Sequence, residues 1–401
     1  MIARRLPVAL LAVMLLAACA EKAGPQALEH EAYVWQRRWS PALAAALRDS
    51  ADLVRAWRVL AGEVDAGGNF RRLAVDPAAL AVSGRPAIPV VRIEAPLATL
   101  DRAQLIAGIV ALQRDWPAST TIEIDHDCGT RQLADYARFL VALRQELPSG
   151  RRLSLTVLPD WLAASELDGL LATADEIVLQ LHSVHGSARS LFDPAGARAW
   201  TSQLARRIDK PFRVALPTYG SRVVVDERGR ITAIESEVPV DPYRVAGVPD
   251  QGRELFAPPA TVSAFLRWLE KSPPPRLSGV VWFRLPLVGD QRAWTPATWR
   301  AVIRDTETAI RLSAELRPGN QPGQQRIVLR NAGIMDTTLP ATLIVQAPCR
   351  GLTGSQSYLL ERQGEDSLFL RSQQALLRAG SEVSVGLADC PSGPGGLWID
   401  E

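Results

Sequence analysis

Lysine is almost missing from this chain, which has only Lys22, Lys210 and Lys271 against abundant arginine. Cysteine, histidine and methionine are scarce too, at 4, 4 and 3 residues. No Cys-x-x-Cys pair occurs, so a cysteine zinc site of the usual spacing is excluded. Charge of one sign is also lacking. The 45 basic and 43 acidic residues leave no electrostatic footprint for nucleic acid or an anionic surface. No Gly-rich phosphate turn follows the first predicted strand, which removes the usual mark of a nucleotide-binding doubly wound sheet. No apolar run reaches the roughly 20 residues of a membrane-spanning helix. What remains, 47% hydrophobic and 22% charged, is the composition of a globular body. No cofactor and no resident metal are expected.

The N-terminus is patterned for export. Arg4 and Arg5 precede an apolar stretch, Leu6 to Leu16, and Leu16-Ala17-Ala18-Cys19 closes it with small residues. This closing run resembles a bacterial lipobox, which implies removal of residues 1–18 and diacylation of Cys19. Two or more acyl chains give stable membrane anchoring where one does not. Ala20 resembles an outer-membrane sorting signal, so the expectation is a lipoprotein of the outer membrane facing the periplasm. Residues 19–31 would be its tether, reaching about 40 Å at most. Without Arg4 and Arg5 the balance is 43 basic to 43 acidic residues. In that oxidising compartment Cys349 and Cys390 are placed to form a disulfide, closing a loop of about 40 residues worth up to roughly 4 kcal/mol. Cys128 reads as a buried thiol.

From residue 32 to about 312, strand-like and helix-like segments alternate. The strand candidates are Ala32–Gln36, Leu53–Leu60, Ala87–Glu94, Thr121–Asp127, Leu153–Leu158, Glu176–His182, Phe212–Thr218 and Gly279–Leu285. They are short apolar runs, as expected of strands buried on both faces. Ser40-Pro41 and Thr295-Pro296 place a capping residue before a proline at the first helical position, and Thr130 is a further candidate cap. Eight strands over this length fit an α/β fold of the (β/α)8 TIM-like barrel type spanning 32–312, with an open doubly wound sheet as the alternative. Segment 61–86 lacks helical periodicity and reads as a β-rich crossover. Residues 223–231 read as an inserted hairpin. Beyond residue 313 the alternating segments predict a small β-sandwich over 313–401.

The run Thr121-Ile-Glu-Ile-Asp-His-Asp-Cys128 carries the chemistry. Strand alternation puts Glu123, Asp125 and Asp127 on one face. Unpaired carboxylates are costly to bury, so this face is expected to open into a polar cleft. Polar residues also end five of the other strands: Trp35 and Arg37, Arg92 and Glu94, Gln180 and His182, Tyr219, then Trp282 and Arg284. Barrel enzymes build their sites at these ends. Asp125 and Asp127 stand about 7 Å apart by strand rise, within the range of glycosidase carboxylate pairs. In that reading Asp127 is the general acid, and Asp125, with Glu123 beneath, stabilises charge or orients substrate. Trp35 and Trp282 would stack on a sugar, and the other strand-end residues would bind it. The same mouth could bind a glycan or an envelope partner without turnover. A metal held by Asp125, Asp127 and His182, with His185 nearby, is a lesser alternative.

Several runs carry a family resemblance: Tyr33-Val-Trp-Gln-Arg-Arg-Trp39, Ile124-Asp-His-Asp-Cys128, Val178-Leu-Gln-Leu-His182, Ala215-Leu-Pro-Thr-Tyr-Gly220 and Trp282-Phe-Arg-Leu-Pro286. Together they resemble the bacterial domain-of-unknown-function family 3142 over most of residues 30–305. That resemblance implies a unit and no reaction. The fourth strand also resembles that of family 18 glycoside hydrolases, the chitinase-like barrels, in which spaced Asp residues end in a catalytic Glu. Aligned so, Asp127 stands where their Glu would be. Shifted by two, Gly129 does.

Overall fold

The computed structural model describes residues 28–182, 190–228, 230–236, 252–306, 311–346, 349–355, 357–372, 374–390 and 397–400. Cys19 and His185 lie outside them. Eight strands form the first unit: β1 Glu29–Val34, β2 Ala56–Val64, β3 Ala87–Ile93, β4 Thr121–Asp125, β5 Arg152–Val157, β6 Glu176–Gln180, β7 Phe212–Pro217 and β8 Leu277–Phe283. All neighbours are parallel, in the order β1–β8–β7–β6–β5–β4–β3–β2, and β2 pairs back onto β1 to close a barrel. A helix follows each strand: α1 Pro41–Asp49, α2 Pro77–Ser83, α3 Arg102–Arg114, α4 Leu133–Glu146, α5 Leu167–Ala172, α6 Pro194–Arg207, α7 Pro259–Lys271 and α8 Pro296–Ile303. This is the (β/α)8 architecture, and the open doubly wound alternative falls away.

Local chemistry explains where the helices begin. Ser40 Oγ accepts from the Leu43 amide (3.3 Å), and Thr295 Oγ1 accepts from that of Thr298 (3.2 Å). Asp76 and Asp193 cap α2 and α6 in the same way, each followed by proline. Thr130 does not cap α4. It lies in a short 3-10 turn, and the Gln132 side chain instead accepts from the Gly129 amide at 3.0 Å. Segment 61–86 is mixed: β2 runs on to Val64, Phe70–Arg72 pairs antiparallel with it, and α2 follows. At the N-terminal side, β1 starts at Glu29, so residues 29–31 are barrel rather than tether.

Alternation divides each strand between two cores. Ile122 and Ile124 of β4 face outward with Leu133, Tyr136 and Leu140 of α4, all fully buried. On α7 the buried stripe is Val262, Phe265, Leu266 and Leu269. Each such side chain contributes about 1.5–3 kcal/mol on burial. The inward face is different, because its lowest layer is charged. Arg58 of β2, fully buried, donates to Glu31 (2.7 Å), to Glu123 and to Glu176 (2.7 Å). Arg213 of β7 reaches Glu29 (2.8 Å), Glu31 (3.3 Å) and Glu176 (2.8 Å). Gly279 leaves room there, since a Cβ on it would lie 2.3 Å from Arg213 Nη1. Above this floor Tyr33, Leu60, Val90, Val178, Ala215 and Val281 form an apolar plug.

Strands Gly220–Val225, Ile231–Glu235 and Gly252–Phe256 make a small antiparallel sheet inserted after β7. The C-terminal unit consists of antiparallel sheets. One contains Leu312–Pro318, Gln324–Asn331, Glu382–Asp389 and Arg350–Gly354. Another contains Tyr358–Gln363, Asp366–Arg371, Thr342–Val345 and Leu397–Asp400. Ile327, Leu329 and Val385 from the first share a core with Leu343, Tyr358 and Phe369 from the second. A disulfide joins Cys349 to Cys390, with Cα atoms 4.2 Å apart. Cys128 is free and buried, and burial pushes its thiol up to about 11.

Candidate active site

The C-terminal ends of the strands surround a cavity of 560 Å3. Ten of the residues singled out from sequence line it: Trp35 and Arg37 after β1, Arg92 and Glu94 at the end of β3 and just after it, Asp125 and Asp127 likewise at β4, Gln180 and His182 likewise at β6, Tyr219 after β7 and Arg284 after β8. The geometry therefore gathers at one mouth residues spread over some 250 positions of sequence, roughly the length of a typical barrel.

Two expected residues lie elsewhere. Trp282 is fully buried on the outer face of β8, where its Nε1 donates to His30 Nδ1 (3.0 Å) and its ring meets Trp294 and Trp299. Alternation explains this, since Phe283 takes the inward position and lines the cavity. Glu123 does face inward, but it is sealed one layer below. Its Oε1 accepts from Tyr33 OH (2.5 Å) and Thr156 Oγ1 (3.4 Å), and its Oε2 accepts from Ser154 Oγ (3.1 Å) and Arg58. A carboxylate so fully paired is part of the floor and presents no atom to the cavity.

Asp125 is the buried acid of the site, 6% exposed. Burial, then the Asp127 charge, raise its carboxyl to about 7, against the pull of Arg92. Burial thus favours its protonated form far more than for a carboxyl in water. Arg92 spans the pair, with Nη1 at 3.3 Å from Asp125 and Nη2 at 3.7 Å from Asp127. It also donates to Glu94 (3.4 Å) and lies over the Trp35 ring. Asp127 stands at the rim with its side chain 41% exposed.

The opposite wall is aromatic. Phe283 stacks on His182 and touches Tyr33, Trp35 and Tyr219. Burial draws His182 down to about 3, so it is neutral, and pushes Tyr219 up to about 12. His182 Nδ1 and Arg284 Nε are buried without a partner among the described residues. Arg284 Nη2 donates to the Asp290 carboxylate (2.8 Å) and the Ser236 carbonyl (3.1 Å). Ile234, Glu235 and Ser236 bring the inserted sheet to the rim, where it walls the cleft. Among the described residues no group of three or more His, Cys, Asp or Glu side chains is placed to hold a metal.

Sequence reasoning missed Tyr33, Thr156, Asp160 and Phe283. The signal for two of them was parity: Tyr33 shares a face with Trp35, and Phe283 shares one with Val281.

The model of the family described as Domain of unknown function (DUF3142) matches residues 83–288. A second, Domain of unknown function (DUF8456), matches residues 314–391. Among solved structures the chain is similar to the spore cortex-lytic enzyme SleL of Bacillus cereus, at 15% identity and TM-score 0.47, covering 69% of this chain and 74% of that one. It is likewise similar to a chitinase from Chromobacterium violaceum, at 14% identity and TM-score 0.49, over 69% and 98% of the two chains. Chitinase ChiA74 from Bacillus thuringiensis aligns over 94% and 100%, at 9% identity and TM-score 0.42. No curated protein matches.

Proposed function

The chain belongs to the DUF3142 family, and from its barrel mouth we propose that it cleaves glycans of the cell envelope or the surrounding medium. The observation that carries this reading is the buried Asp125 beside the exposed Asp127, at the edge of an aromatic-walled cleft. Sugar rings offer apolar C–H faces to aromatic side chains and hydroxyls to paired donors and acceptors, and Trp35, Phe283 and Gln180 supply both kinds of contact. In this reading Asp125 supplies a proton that Asp127, at the rim, passes to the glycosidic oxygen as the C–O bond breaks. Water then adds to the anomeric carbon and returns a proton to the pair.

The charges of the lining favour a neutral glycan over a uronic acid. Arg37, Arg92 and Arg284 are each engaged by acids, with Arg37 on Glu63 at 3.2 Å. Glu94, Asp127, Asp160 and Glu235 add negative charge around the cleft. One observation favours a second reading, recognition without turnover: Arg92 contacts both acids and pulls the Asp125 carboxyl toward its ionised form.

The protein is further proposed to be an exported lipoprotein anchored by acylated Cys19. A Cys19→Ser chain should leave the membrane fraction, and one that still partitions fully with membranes would contradict the anchor. For the reaction, the chain lacking residues 1–19 is screened against neutral and acidic glycans for binding and product release. Release lost in Asp127→Asn and Asp125→Asn supports cleavage. Binding without release by the wild type supports the second reading, and no binding to any glycan overturns both.

A further inference from the structure

The loop between β8 and α8 holds three parts of the cavity wall together. Its Asp290 carboxylate accepts from Arg284 Nη2 (2.8 Å) and from the amides of Arg292 (2.9 Å) and Ala293 (3.1 Å). Ala293 forms an antiparallel bridge with Tyr219, flanked by Gly220 N to Arg292 O (2.6 Å) and Trp294 N to Thr218 O (2.7 Å). Arg292 donates to the carbonyl of Glu235 at 2.7 Å. Arg284, Tyr219 and Glu235 all line the cavity, so the position of this one loop sets all three.

The loop in turn is gripped from the C-terminal unit. Arg378 Nη1 donates to the Ala293 carbonyl (2.6 Å), and Nη2 donates to those of Asp290 (2.9 Å) and Gln291 (3.0 Å). Nη1 also meets Asp336 Oδ2 at 3.1 Å. Asp336 is fully buried and accepts from the Thr295 and Ala379 amides at 2.7 and 3.1 Å, which ties both ends of the contact to it. Only a planar fork of donors satisfies three carbonyls and a carboxylate together.

We infer that Arg378 is a positioning residue for the cavity, and that the small β unit is a structural part of the mouth rather than an appended module. The effect on turnover rests on the cleavage reading above, whereas the effect on the loop does not. A displacement of about 1 Å in groups that position substrate can cost about 100-fold. Since the three wall residues line the cavity and none is hydrogen-bonded to the acid pair, the loss should fall mainly on KM.

The test uses the chain lacking residues 1–19, with Arg378→Ala and Arg378→Lys. Lysine keeps the charge beside Asp336, and so the fold, but lacks the fork. Hydrogen exchange is expected to rise about tenfold or more at residues 218–220 and 290–294 in both variants, with β2 and β4 unchanged. If the alanine variant loosens throughout, the lysine variant decides. Unchanged exchange at those segments in the lysine variant overturns the inference. With the glycan released in the screen, Arg378→Lys should raise KM about tenfold and leave kcat within about twofold. A purely stabilising role would lower the active fraction and leave KM alone, which also overturns it. If no glycan is turned over, the cleavage reading fails while the exchange result still decides this one.

Discussion

Replacing Arg58 by methionine tests the charged floor. The side chain is fully buried and balances Glu31, Glu123 and Glu176, with contacts of 2.7 Å to the first and last. Methionine fills similar space but takes the guanidinium from Glu123, leaving Glu31 with Arg213 and Arg55 (3.3 and 3.5 Å) and Glu176 with Arg213 (2.8 Å). Breaking a buried pair by removing one partner costs about 3–5 kcal/mol. The electrostatics of Glu176 give a second measure. Burial alone would raise its carboxyl, but Arg58 and Arg213 overcome this and hold it at about 2, from 4.5. That difference corresponds to about 3 kcal/mol of linkage, shared between the two arginines. The expectation at pH 7 is therefore a loss of about 4 kcal/mol. The sign with pH follows. A depressed carboxyl stabilises the native wild type above its unfolded value, and that stability is lost as pH falls toward 2. In Arg58→Met the floor carboxyls rise above their unfolded values, so their penalty is present at pH 7 and is relieved as they protonate. Both trends shrink the gap between the proteins on acidification. Urea unfolding at pH 7 and pH 5, followed by tryptophan emission, measures it, because Trp57, Trp161, Trp282, Trp294 and Trp299 are fully buried. A loss below about 1 kcal/mol at pH 7, or a gap that widens at pH 5, would refute the reasoning.

With Asp125 near 7 and its protonated form productive, glycan release should fall as pH rises through about 7. A wild-type rate that climbs through the same window contradicts the assignment. Cys349→Ala should lower the stability of the C-terminal unit by up to about 4 kcal/mol through its 41-residue separation from Cys390. An unfolding curve identical to wild type would remove the staple from the account. Trp35→Ala should weaken binding of a retained glycan by about 10- to 100-fold, as befits a buried aromatic contact, and calorimetry showing unchanged affinity would take Trp35 out of the binding surface.

Much of the barrel was legible because strand and helix periodicities alternate cleanly. Every predicted barrel strand has its counterpart, with ends displaced by a few residues where apolar runs continue past the pairing. The mouth was legible because position along a parallel strand fixes which end of the barrel a residue occupies. The face it occupies needed the alternation of each strand. Trp282 was misplaced by one residue for that reason, and Phe283 was overlooked. The floor was illegible. Arg58 sits in Trp57-Arg58-Val59-Leu60, whose local pattern says only that a strand is buried, and its three acidic partners come from β1, β4 and β6. The grip of Arg378 on the loop at 290–293 joins two units about 85 residues apart, and no periodicity records it.

The chain enters β1 at Glu29, on the floor, while the cleft opens at the other end of a parallel barrel. Residues 20–27 would then span about 27 Å at most. A bilayer anchor at Cys19 would place the floor toward the lipid and point the cleft outward, across the aqueous space. Lipid headgroups of the same membrane would lie behind the floor, away from the cleft. The polymers it could meet are those that come to it from the far side, such as the mesh between two membranes or a neighbouring surface. The reach of the cleft would be set by the height of the barrel plus a short leash.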